Sequence, residues 1–204
     1  MSVSNGDVLK VTVEATLIDG SIAQNVFYLK AHILGIPMGD TTVVDYCVDY
    51  VEAAYSNIEA SMVEETIFGP IQVDTVEWTG TKWETTYHVG EADVDLEPSS
   101  TNDPFPNQIA PFTVAHTERP KSKGRKFLFG YHEQTALGSY LTAGEVTLIA
   151  AFLTDVINNQ TLGALDYLEP GVIRKGANEF LPFTSGTVQN VVGTQRRRRP
   201  GVGV

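Results

Sequence analysis

The chain has 204 residues, 42% of them hydrophobic, and a formal net charge of −11, which bounds it to one sizeable core and makes a general nucleic-acid binder unexpected. Its longest apolar runs, such as "VTLIAAFL" at 146–153, fall far short of the roughly 20 residues that a membrane helix needs, so no membrane partner is expected. The single cysteine, Cys47, cannot form an internal disulfide and sits in no Cys/His metal spacing; it is expected to be a small apolar core residue, and neither a metal nor a cofactor is expected.

The opening "MSVSNGDVLK" lacks the basic and apolar regions of a signal peptide, which leads to the expectation of synthesis and assembly in a cytosol. Leu9, Val11, Val13, Ala15 and Leu17 then alternate with Lys10, Thr12, Glu14 and Thr16, the period of a strand with one wet face. Asp19-Gly20 marks a turn and "AQNVFYLKAHI" a second strand, so 8–33 reads as a β-hairpin. Gly35, Pro37 and Gly39 break the pattern.

From Asp40 the period changes. Val44, Val48, Val51, Tyr55, Ile58 and Met62 recur at helical spacing, with Asp45, Asp49, Glu52 and Glu59 elsewhere on the wheel. Asp40 or Thr41 can cap this helix, and Gly69-Pro70 is expected to stop it. "IQVDTVEW" and "KWETTYHV", flanking Thr79-Gly80-Thr81, predict a second hairpin over 71–89. A Pro-rich loop follows over about 90–111, too long for an ordinary connection. It opens with Glu91, Asp93, Asp95 and Glu97 alternating with Ala92, Val94 and Leu96. That run lacks the Asp/Asn-Gly pattern of a calcium loop and reads as a solvated strand edge carrying anti-aggregation charge.

"PFTVAHTE" and "KFLFGYHE" read as two strands joined by the basic turn "RPKSKGR". Thr142-Ala143-Gly144-Glu145 is a capping box. The apolar stripe behind it, Val146, Ile149, Ala150, Leu153 and Ile157, predicts a second helix ending near Asn158-Asn159. "DYLEPGVIRK" and "SGTVQNVVGTQ" read as strands. The expected fold is α+β: a single domain over 1–204, a largely antiparallel sheet with two helices packed on one face, and a basic C-terminal arm from about 194.

Charge is unevenly placed. Residues 1–118 hold 3 basic and 19 acidic residues, and residues 119–204 hold 11 basic and 6 acidic. The basic residues form two clusters, Arg119, Lys121, Lys123, Arg125 and Lys126, and then Arg196, Arg197, Arg198 and Arg199. Neither has the interleaved aromatics of single-strand recognition. On a strand, Arg196 and Arg198 would point one way and Arg197 and Arg199 the other, which suits insertion between acidic surfaces.

No nucleophile elbow, phosphate loop, dinucleotide fingerprint or His-Glu-x-x-His occurs. His32, His88, His116 and His132 are scattered. The chain is therefore read as not an enzyme. Two alternatives stand beside that reading. One is a nucleic-acid-contacting packaging or channel protein using the two clusters, and the other is a hydrolase whose strand-assembled site the sequence hides.

At "NQIAPFTVAHTERPKSKGRKFLFGYHE" and "GTQRRRR" the chain is similar to small proteins of tailed bacteriophages and related environmental viruses. The pattern falls at Pro111, Gly124-Arg125, Phe127 to Phe129, Gly138 and Thr194 to Arg199, roughly the C-terminal half, with a looser match at "QNVFY". The resemblance implies a non-enzymatic virion structural protein of the tail, neck or capsid accessory layer. Its implied partners are copies of itself and other virion proteins, with nucleic acid not favoured.

Overall fold

The computed structural model describes residues 2–16, 20, 22–33, 37–56, 59, 62, 64, 66–99, 109–114, 125–130, 167–174 and 176–182. Their order is β1 (Ser2–Val3), β2 (Val8–Thr16), β3 (Ile22–Ala31), β4 (Met38–Gly39), α1 (Asp40–Tyr55), β5 (Ile67–Phe68), β6 (Ile71–Trp78), β7 (Trp83–Ala92), β8 (Ile109–Val114), β9 (Arg125–Gly130), β10 (Leu168–Ile173) and β11 (Phe180–Pro182). The main sheet runs β11-β10-β3-β2-β6-β7, with β5 also on β2, and β1-β4 and β8-β9 form two-stranded ladders. Every pairing is antiparallel. Among the described residues the fold is thus mostly antiparallel sheet with one helix. The second helix expected from Thr142 and the strand expected at 185–195 lie outside them.

The period of two in β2 determines which face is the core. Leu9, Val11 and Val13 point to α1, and their neighbours across the ladder are Leu29, Phe27 and Asn25. Leu9, Leu29 and Ile71 are fully buried there, each contributing about 1.5–3 kcal/mol by leaving water. The hairpins expected at 8–33 and 71–89 are present, β2-β3 and β6-β7, and Gly80 turns the second with φ +95°, a conformation that favours glycine. The strand read in "DYLEPGVIRK" is β10, and the two strands around the basic turn pair as β8 and β9.

β5 and β6 follow the same edge of β2, interrupted at Gly69-Pro70. Gly69 N–H still donates to the Glu14 carbonyl at 3.0 Å, while Pro70 has no N–H to offer, so the register slips by one residue there. At the far side of the fold, the Trp83 indole N–H donates to the Ala177 carbonyl at 3.0 Å. Trp83 opens β7 and Ala177 lies between β10 and β11, so this bond ties the start of β7 to the β10-β11 turn.

The helix is shorter than its stripe implied. It ends at Tyr55, where Ser56 N–H closes on the Glu52 carbonyl at 2.8 Å, not at Gly69-Pro70. The Ser56 hydroxyl bonds back to the Ala53 carbonyl at 2.8 Å, and Ser-Asn at 56–57 favours such local bonds over another turn. The N-cap is Gly39, without a side-chain bond; Asp40 lies in the first turn, where its charge suits the dipole. The buried face is Val43, Val44, Cys47, Tyr50, Val51, Ala54 and Tyr55, with Val48 on its flank. Cys47 is fully buried, as expected.

Candidate interaction surface

α1 is held to the sheet at both ends. Near its C-terminus, Asn25 Nδ2 on β3 donates to the Tyr55 hydroxyl at 2.7 Å. At its N-terminus, the Tyr87 hydroxyl on β7 donates to Asp40 Oδ2. That bond raises the Tyr87 pKa above the usual phenol value, because it favours the protonated form beside a carboxylate. Burial likewise pushes Cys47, Tyr50 and Tyr55 upward, which makes Cys47 a poor nucleophile.

β7 carries two register shifts against β6: Val73 faces Gly90 but Asp74 faces His88, and Thr75 faces Tyr87 but Val76 faces Thr85. The extra residues are Val89 and Thr86. Val89 joins the core under α1, and a Cβ on Gly90 would press on Val44 Cγ2 at 3.0 Å, so the helix lies close on this strand. The bulges also break the regularity of the β7 edge, a common defence against edge-to-edge pairing.

Beyond the bulges the chain runs extended over the side of α1. Asp93, Asp95 and Glu97 are exposed, while Val94 and Leu96 are half-buried against the core. Asp95 N–H donates to Glu52 Oε1 at 2.6 Å, and Glu97 N–H donates to Glu59 Oε1. Two amides, two residues apart, pointing to the same side require an extended strand. The carboxylates of Glu52 and Glu59 take the place that a neighbouring strand's carbonyls would fill. Glu91, Asp93, Asp95 and Glu97 therefore form an outward row. Among the described residues no lysine or arginine pairs with them, and Glu91 has His88 Nε2 at 3.9 Å.

A second polar cluster sits on the face away from α1. The buried Asp74 carboxylate receives Gln72 Nε2 at 3.3 Å, has His88 Nδ1 at 3.0 Å and lies 3.8 Å from Lys10 Nζ. These groups come from β2, β6 and β7 and clamp the three strands together. On the opposite face of β6, Thr75 Oγ1 bonds with Thr86 Oγ1 and the Tyr87 carbonyl.

His32 Nε2 meets Glu169 Oε2 at 2.8 Å and ties the end of β3 to β10. His32 and His88 are separated by β2 and β6 in the sheet order, so the structure does not bring these two together. His116 and His132 lie outside the described residues.

Of the basic residues singled out in the sequence, Arg125 and Lys126 fall in β9, opposite Val114 and Thr113 of β8. Arg119, Lys121, Lys123 and Arg196–Arg199 lie outside the described residues. The anchoring of 93–97 on Glu52 and Glu59 was missed by sequence reading. Its signal was the alternation of Ala92, Val94 and Leu96 with acids, which marks one face as apolar. Comparison with protein-family models, curated proteins and solved structures finds no match to the chain.

Proposed function

We propose that this chain is a non-enzymatic structural protein of a tailed-bacteriophage virion, in the tail, neck or capsid accessory layer. In this reading it assembles as a symmetric homo-oligomer through complementary acidic and basic surfaces. The observation that carries the reading is the row Glu91, Asp93, Asp95 and Glu97, held outward along an extended segment with no lysine or arginine partner among the described residues. Eleven of the 14 basic residues lie beyond position 118, so the chain supplies in its second part the charge that the row needs.

Like carboxylates strung along one strand repel one another, and bringing cations beside them relieves that repulsion. An exposed ion pair is worth under about 1 kcal/mol alone; closed symmetry multiplies it over every subunit. The similarity of "NQIAPFTVAHTERPKSKGRKFLFGYHE" and "GTQRRRR" to phage proteins supports the virion setting. The proposal includes the second helix, from Thr142, packed on the same face as α1.

The test is mass spectrometry of purified particles, paired with assembly of a variant in which Arg196–Arg199 are all changed to Glu. The reading expects the chain in the particle and no incorporation of the variant. Absence of the wild-type chain from particles overturns it. Binding of DNA that weakens steeply with added salt would instead favour the nucleic-acid alternative.

A further inference from the structure

The strand 93–97 has a second side. Since the Asp95 amide points to Glu52 on α1 and the Glu97 amide to Glu59 just beyond it, the amides and carbonyls of Val94 and Leu96 point the opposite way. Among the described residues nothing bonds to them. An extended main chain fixed on one side and open on the other is a template for one more strand. It differs in this from the bulged edge of β7 just before it.

The side chains define what that strand must be. Asp93, Asp95 and Glu97 share one face and stand roughly 6.4–6.8 Å apart along the chain. A row of that spacing does not close around one ion, but it matches alternate residues of an extended basic segment. Of the two basic clusters, the first gives Arg125 and Lys126 to β9, which pairs with β8 along one edge. The arginine run follows a stretch, 185–195, with the β-branched content of a strand.

We propose that residues 194–199 of a second copy add to Asp93–Glu97 as a β-strand. Main-chain bonds to Val94 and Leu96 give the addition its affinity. Alternate guanidinium groups, whose planar fork fits carboxylates, set its register against Asp93, Asp95 and Glu97. The inference rests on the proposed self-assembly and names the contact that drives it.

The test mixes two preparations of the full chain under mild oxidation. One carries Asp95→Cys and the other carries Arg196→Cys, Arg197→Cys or Arg198→Cys in turn. Cys47 is fully buried and stays out of the reaction. The expected result is a disulfide-linked heterodimer for at least one arm position, strongest where register aligns. It should be lost when the arginines that remain in the arm are also changed to Glu. An oligomer that forms without any such cross-link overturns the strand addition and leaves self-assembly standing. Cross-linking inside a single copy carrying both cysteines, at dilutions where it is monomeric, overturns the exchange between copies.

A wild-type chain that never associates overturns the self-assembly reading, and this contact with it. The converse check exchanges the charges. A chain with Asp93, Asp95 and Glu97 changed to Arg, together with Arg196–Arg199 changed to Glu, should regain the assembly that each half-exchange loses. Failure to regain it, with both half-exchanged chains folded, counts against the pairing.

Discussion

The amide of Asp95 donates to the carboxylate of Glu52 at 2.6 Å, so a helix side chain does the work of a missing β-strand. This bond, with its counterpart from Glu97 to Glu59, holds the acidic row in an extended form. Glu52→Ala should cost about 1 kcal/mol and, more specifically, should raise amide exchange at Asp95 and Glu97 while the β2-β3 ladder keeps its protection. Unchanged exchange at Asp95 would show that the strand is held by Val94 and Leu96 alone.

The helix stripe supplies a sharper stability test. Val51 is fully buried at the centre of the α1 contact, whereas Val48 is only half-buried on its flank. Val51→Asp places an unpaired charge in the core and should cost more than about 3 kcal/mol. Val48→Asp should cost clearly less, because a small rotation takes its carboxylate to water. Denaturant midpoints of the two variants measure the difference; equal losses would mean that the helix is rotated from its position here.

Gly171 on β10 tests how closely β11 packs on that strand. A Cβ there would overlap the Leu181 carbonyl and the Phe180 ring of β11, so Gly171→Ala should destabilise by about 1–3 kcal/mol through overpacking. Gly69→Ala is the control, since the nearest atom to its Cβ is the Glu14 carbonyl oxygen at 3.9 Å. Thermal melts should separate the two variants.

Alkaline pH should unfold the chain cooperatively. The pKa values of Tyr50 and Tyr55 are raised by burial, and that of Tyr87 by its bond to Asp40. A phenol whose folded pKa lies above the unfolded value of about 10 binds more protons when folded, so its contribution is complete below that pH. It is lost as pH rises toward the folded pKa. The melting temperature should therefore fall steeply above about pH 10, with phenolate absorbance rising at the unfolding transition. A smooth phenolate titration with no loss of structure would contradict the burial of Tyr50 and Tyr55.

Both hairpins and the start of α1 were legible because their signals are local: alternation in β2, β-branched and aromatic residues in β6 and β7, turn residues at Gly20 and Gly80, and a change of period at Asp40. What escaped is what depends on partners distant in sequence. The helix stripe continues through Ile58 and Met62 on the wheel, yet the helix stops at Tyr55, where Ser56 closes the last turn. Met62 is buried regardless, from outside the helix. Strand order was not readable, since nothing in "LEPGVI" announces β3 as its neighbour. The acids at 91–97 were visible as a charged edge, but their anchoring depends on Glu52 and Glu59, some 40 residues earlier. The arginine run remains the part of the surface argument that rests on sequence.

Sedimentation of the full-length chain across salt tests most directly whether the acidic row and the basic arm drive self-assembly. Assembly through these charges gives one discrete oligomer at about 0.05 M salt, shrinking toward monomer near 1 M, where the Debye length falls to about 3 Å. A monomer at every salt and protein concentration would contradict it.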